Sequence, residues 1–194
     1  NFSAAYCTGL LCARRLLAHF GIDSMFAGTA TFNPTFQQGK SGDRRPFKVL
    51  LDVGLARTST GANMFAAMKG AVDGGLNVPH SNKRLPDADD LRKRIYGGHV
   101  ADYMRLLQKE NEPKYRKHFS KFIAAGVTPD GVEALYTRVH AAIRADPKPA
   151  PAASKDRKPY AKKVHKMTLG QKRAVVNSKI AAHRRNLVAA EEDD

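Results

Sequence analysis

Asp73, His80 and Ser81 place a carboxylate, an imidazole and a hydroxyl close together in the run Asp73-Gly-Gly-Leu-Asn-Val-Pro79-His80-Ser81. Those are the residue types of an acyl-transfer triad. A triad needs them to converge in space, and closeness along the chain does not supply that. The simpler reading is a tight glycine turn and a proline-restricted loop, with His80 and Ser81 free to hydrogen-bond. The stretch Gly54–Gly61 is phosphate-friendly but lacks the Lys-Ser/Thr pair of a P-loop, and no nucleophile elbow is present. Cys7 and Cys12 lie five apart with no second ligand pair, so they read as plain buried thiols in a reducing compartment rather than a metal site. These groupings argue against an enzyme, and nothing calls for a metal or cofactor.

A second set of residues suits polyanions. Arg57-Thr58-Ser59-Thr60 is a cation followed by three hydroxyls at the end of an expected strand. Arg and hydroxyls are good partners for phosphate and for a 2′-hydroxyl, and the same string serves equally well as a helix N-cap with one exposed Arg. Lys83-Arg84 and Arg92-Lys93-Arg94 are, by themselves, more often solvated charge. The whole chain carries +15 over 194 residues, a field that attracts nucleic acid or anionic membrane. No apolar run approaches the roughly 18 residues of a membrane span. Residues 147–190 hold 12 Lys and Arg against one acid, Asp156, and four prolines, the composition of a polyanion-binding arm. There is no Trp, and aromatics are 8%, mostly on inward stripes, so phosphate contact should dominate over base stacking.

The elements that must hold these residues follow from periodicity. Residues 2–20 read as a helix with Tyr6, Leu10, Ala13, Leu17 and Phe20 on one face, Arg14, Arg15 and His19 off it, and Gly21 as the stop. Phe47, Val49, Leu51 and Val53 alternate with Lys48 and Asp52, and Leu50 makes the second face partly apolar, which predicts a strand covered on both sides. A helix from about Asn63 turns Phe65, Met68 and Val72 inward. The first 76 residues thus predict helix, strand, helix, an α/β fragment.

From residue 95 the pattern is purely helical. The stripes are Val100, Tyr103, Met104 and Leu107, then Tyr115, Phe119 and Phe122 behind Pro113, then Val132, Leu135, Tyr136, Val139 and Ile143 behind Thr128-Pro129. Pro147 ends the last. The tail is too polar to fold alone and is expected to order on RNA, with Lys155–Lys163 extended and Thr168–Arg185 helical. Thr168-Leu-Gly-Gln171 forms a capping-box opening, and the acids Glu191–Asp194 should fray the end. The expected division is 1–94, an α/β core fragment with a loop; 95–146, helical; and 147–194, a basic extension. These features suit a nucleic-acid-binding protein, a basic-tailed chromatin or messenger-RNA binding protein among the possibilities.

Particular strings narrow that choice. Ala4-Ala-Tyr-Cys-Thr-Gly-Leu-Leu-Cys-Ala-Arg-Arg-Leu-Leu17, Leu51-Asp-Val-Gly-Leu-Ala-Arg-Thr58, Lys69-Gly-Ala-Val-Asp-Gly-Gly-Leu76 and Val78-Pro-His-Ser81 closely resemble the eukaryotic large-subunit ribosomal protein five family. Its bacterial counterpart is ribosomal protein eighteen. Val100-Ala-Asp-Tyr-Met-Arg105 and His140-Ala-Ala-Ile-Arg144 continue the likeness. The resemblance implies a structural role: binding of 5S rRNA and large-subunit rRNA in the central protuberance, beside other large-subunit proteins including the second 5S-binding one. It also implies assembly in the nucleus, residence on the cytoplasmic ribosome, and a partial three-layer α/β domain followed by a helical region and basic tail.

Joined to the charge pattern, the resemblance makes Arg57, Thr58, Thr60, His80, Ser81, Lys83 and Arg84 the expected RNA-binding residues of the body. Lys155, Arg157, Lys158, Lys162, Lys163, Lys166, Lys172 and Arg173 are those of the tail. The family carries further strands and a basic arm ahead of the position of Asn1, and a longer loop than Arg84 to Arg92. The sequence starts at Asn rather than Met, so an N-terminal portion is expected to be missing.

Overall fold

The computed structural model describes residues 1–149 and 166–192. They belong to two compact units, Asn1–Pro149 and Ala150–Asp194. In the first, helix α1 (Phe2–His19) lies against helix α2 (Asn63–Asp73). The Asn1 side chain caps α1 by accepting from the Ser3 N–H at 2.9 Å. Tyr6, Leu10, Ala13 and Leu17 are buried, as their spacing requires: Ala13 and Leu17 cluster with Phe65, Met68 and Val72 of α2, and Tyr6 and Leu10 with Ala66 of α2 and with Leu91 and Ile95. Glycine lets the two backbones touch. A Cβ on Gly9 would lie 1.9 Å from the Ala67 carbonyl oxygen, and one on Gly70 2.1 Å from that of Tyr6.

Two helix-face expectations fail. Phe20 is 50% exposed and stacks on Phe47, because α1 ends at His19 and the face it would extend ends there too. Arg14, expected outside, is buried. Cys12 is exposed, where a buried thiol was expected; Cys7 is half-buried, and burial pushes its thiol up to about 11.

The segment 47–53 corrects the α/β expectation. It is extended but joins no ladder, and the described residues are mostly helical with almost no strand. One parallel bridge, Lys48 to Asn77, ties it to the chain after α2: the Val49 N–H donates to Asn77 O at 2.9 Å and the Asn77 N–H to Phe47 O at 3.0 Å. Leu50 is 74% exposed rather than covered on a second side. A single extended segment with one bridge cannot fill its own backbone hydrogen bonds, so it does not propagate as a sheet.

The helical region matches its periodicity more closely, although its first helix, Ala88–Ile95, falls ahead of residue 95, in the stretch expected as core fragment and loop. Helices α3 (Ala88–Ile95) and α4 (Gly98–Glu110) meet at Gly97, φ 82°, where a Cβ would strike the Tyr136 ring at 2.6 Å. Helix α5 (Glu112–His118) has Pro113 in its first turn, α6 (Ser120–Ala124) follows, and the Thr128 side chain caps the short turn Pro129–Gly131 that leads into α7 (Val132–Ala145). Met104, Leu107, Phe119, Val132 and Tyr136 form one buried cluster. Tyr103, expected inward, is 38% exposed and meets His118 edge-on.

The second unit contains α8 (Leu169–Glu192). Its capping box closes, with the Gln171 N–H on Thr168 Oγ1 at 3.3 Å and the Thr168 N–H on Gln171 Oε1 at 2.9 Å. The backbone stays helical to Glu192, past the Arg185 expected as its end. Leu169, Val176 and Ile180 are exposed, so the thin apolar stripe packs on nothing described. Among the described residues no helix is long and apolar enough to cross a membrane.

Candidate nucleic-acid interface

The loop between the extended segment and α2 is held by its backbone. Asp52 accepts from the Gly54 N–H at 2.9 Å, and the Ala56 N–H closes a turn on Val53 O at 3.2 Å. Helix α2 starts at an Ala62 N-cap with no side-chain cap bond. The hydroxyls of Thr58, Ser59 and Thr60 are therefore not used as caps. They accept and donate no hydrogen bond among the described residues, and Arg57, Thr58 and Thr60 are all exposed. That removes the N-cap alternative for this string and leaves a cation and three hydroxyls facing solvent.

A second loop is latched to the first. The Gly61 N–H donates to Arg84 O at 3.0 Å. Buried Val78 and Leu85 pin the loop 78–85 to the core shared by α1 and α2. The His80 Nδ1 lies 2.6 Å from Val78 O, which fixes the ring and leaves Nε2 to face outward partners. Ser81 spends its oxygen on the Lys83 N–H at 3.3 Å, capping the short turn Asn82–Arg84. Lys83 and Arg84 are exposed, and neither forms an ion pair among the described residues, nor does Arg57. The Gly61–Arg84 bond thus sets the loops that carry the two expected groups, Arg57–Thr60 and His80–Arg84, side by side. The Asp73, His80 and Ser81 set does not assemble as a triad: Asp73 is buried and bound to Lys69 and Tyr6, while His80 and Ser81 bond locally.

Periodicity missed the inward-turned charges that tie segment 23–33 to the helices. Lys69 is fully buried and donates to Asp73 Oδ1 at 2.8 Å and to Asn33 O at 2.6 Å. The Tyr6 hydroxyl donates to the other Asp73 oxygen at 2.8 Å. Burial pushes the Asp73 carboxyl up, against the pull of Lys69 and the Tyr6 hydroxyl; burial and then Asp73 drive the Tyr6 phenol upward. Arg14 donates to Phe26 O, Gly74 O and Asp23 O at 2.9, 3.3 and 3.1 Å. Arg144 of α7 reaches Ala27 O and Asp73 O, each at 3.1 Å, and Thr29 O. These three cations satisfy carbonyls of one irregular segment, 23–33, and of the α2 C-terminus. The only sequence signal was the i, i+4 spacing of Lys69 and Asp73.

In the second unit Lys166, Lys172 and Arg173 are exposed on and just before α8. Lys155, Arg157, Lys158, Lys162 and Lys163 lie outside the described residues.

The sequence as a whole matches known proteins. Residues 1–81 match the family described as ribosomal large subunit proteins 60S L5 and 50S L18, and residues 132–185 match the ribosomal L18 C-terminal region. The large ribosomal subunit protein uL18 of Suberites domuncula is 47% identical over 96% of this chain and 68% of its own length. That of Oryza sativa subsp. indica is 46% identical over 94% and 64%, and that of Drosophila melanogaster 45% over 97% and 66%. The chain therefore spans about two thirds of the length of these relatives. At this identity and coverage, the chain belongs to the uL18 family of large ribosomal subunit proteins, a structural ribosomal family and not a family of enzymes.

Proposed function

We propose that this chain is a structural constituent of the large ribosomal subunit that binds 5S rRNA and helps to place it in the central protuberance. The reading includes contact with large-subunit rRNA and with neighbouring ribosomal proteins, the second 5S-binding protein among them. It also includes assembly in the nucleus before residence on the cytoplasmic ribosome. One observation carries it: the exposed Arg57–Thr60 hydroxyls and cation, unused among the described residues, latched through Gly61 and Arg84 to the second basic loop. Cations supply affinity for phosphate, and hydroxyls add contacts to phosphate and 2′-hydroxyl groups.

In this reading 1–94 carries the body's RNA surface, 95–146 braces it through α7, and 147–194 is the basic arm. The exposed Leu50 and the unfilled backbone edge of 47–53 support a further part of the reading. They suit completion of a three-layer α/β domain by strands from portions that the relatives have and this chain does not span. The test is the RNA recovered with the protein: a single 5S species is expected, and a heterogeneous RNA population would count against the reading. Truncation at Pro147 should reduce both affinity and salt slope while the body stays folded, since the arm holds 12 of the 33 Lys and Arg.

A further inference from the structure

The cations of the helical region divide into two kinds. Lys93 pairs with Asp102 at 2.6 Å, Arg105 with Asp102 and Asp130 at 3.1 and 2.5 Å, and Arg116 with Glu112 at 2.5 Å. Lys114, Lys117 and Lys121 are exposed and form no ion pair among the described residues. They fall on one stripe. The helical hydrogen bonding runs across the α5–α6 junction, with the Phe119 N–H on Tyr115 O and the Ile123 N–H on Phe119 O, both at 2.9 Å. Lys114 and Lys117, three apart, share a face of α5, and Lys121 follows four residues later in the first turn of α6, just past the Phe119 junction (φ −102°, ψ 21°). Tyr115, Phe119 and Phe122, which pack into the core cluster, occupy the opposite side. Arg116 and Glu112 lie on a flank between the two.

Like charges three and four residues apart destabilise a helix when nothing answers them. Here no carboxylate answers, although acids are available on the neighbouring faces. Residues 114 and 121 are about 10 Å apart along the axis, so the ammonium groups form a rail rather than a pocket. A rail suits successive phosphates of one strand better than a single small anion. We infer that Lys114, Lys117 and Lys121 form a second phosphate-contacting surface on the body, separate in the fold from the Arg57–Arg84 surface, which grips an rRNA backbone without reading its bases. The inference rests on the ribosomal reading above and extends it to the helical region.

The test uses the full chain with Lys114, Lys117 and Lys121 all changed to Gln, bound to 5S rRNA and to large-subunit rRNA across a salt series. If all three lysines touch phosphate on one of these RNAs, the slope against log salt falls by about 2–3. The unaltered chain should then lose about 20- to 40-fold more affinity than the variant between 50 and 200 mM salt. The matching triple Lys→Arg variant should keep the original slope, and circular dichroism of both should be unchanged. Equal slopes for the unaltered and Gln chains on both RNAs would overturn this inference alone. So would retention of both RNAs with loss of an acidic ribosomal protein. Absence of rRNA binding by the unaltered chain would overturn the ribosomal reading and this inference with it.

Discussion

Lys69, Arg14 and Arg144 on one side, and Arg57, Lys83 and Arg84 on the other, are the same residue types in opposite circumstances. The first three are turned inward, Lys69 and Arg14 buried and Arg144 half-buried, and each has a carbonyl or carboxylate partner. The second three lie in solvent with no ion pair among the described residues. A buried cation cannot be left unpaired without a large desolvation penalty, so the fold supplies every partner. An exposed one is already hydrated, and its partner can come from outside. Net charge alone therefore overstates the RNA footprint of this protein. Part of the basic complement ties segment 23–33 and α7 to the α1–α2 pair, and another part stays exposed and free of ion pairs among the described residues.

The harshest probe of that contrast is Lys69→Met. It leaves the Asp73 carboxylate buried with only the Tyr6 hydroxyl, and should cost about 3–5 kcal/mol in urea unfolding. Adding Asp73→Leu should recover part of the loss, since replacing both members of a buried pair is tolerated better than breaking it. Full stability in Lys69→Met would erase the distinction between the two sets.

Arg144→Ala comes next. It strips a donor from Ala27, Thr29 and Asp73 carbonyls and should cost about 1–3 kcal/mol, with α7 becoming more open to amide exchange. A loss of RNA affinity without a loss of stability would instead move Arg144 to the exposed set.

A milder test is acidification. His140 lies among Tyr6, Tyr96 and Tyr136 with a buried Nε2 that has no partner among the described residues. Burial first, and Arg144 second, lower its pKa from 6.5 to about 4. The unfolded chain then takes up this proton before the folded one. The His140 contribution is thus intact above pH 6.5, is lost as pH falls towards 4, and changes no further below that. The urea midpoint of His140→Phe should fall less than that of the unaltered chain between pH 7 and pH 4.5; parallel falls would show that other groups govern the acid response.

The smallest expected effect on stability is that of Arg57→Ala, within about 0.5 kcal/mol. Its effect should appear in RNA binding, where one lost phosphate contact lowers the salt slope by about 0.7–0.9. An unchanged slope would mean that Arg57 is merely solvated, and the RNA surface would shrink to the second loop, the α5–α6 rail and the arm.

By itself the sequence determined most of the helices and the polycation, though not α3. The 3–4 spacing of Tyr6, Leu10, Ala13 and Leu17, Pro113 in the first turn of α5, and the Thr168–Gln171 box are local signals, and local hydrogen bonding and burial realise them. Arg57–Thr60 and Lys83–Arg84 were legible for the same reason, as short strings of the right chemistry. Their joining through Gly61 and Arg84 was not, because that bond spans residues far apart in sequence. Only the tertiary structure decided which cations turn inward. Lys69 meets Asn33, Arg14 meets Gly74 and Arg144 meets Thr29 across distant parts of the chain, and a charge is buried only where such partners converge. The same reason accounts for Phe47–Val53. Alternation prescribes which side chains could face a core, but a strand becomes a sheet only when another backbone lies beside it, and here one bridge to Asn77 is all that the described fold provides.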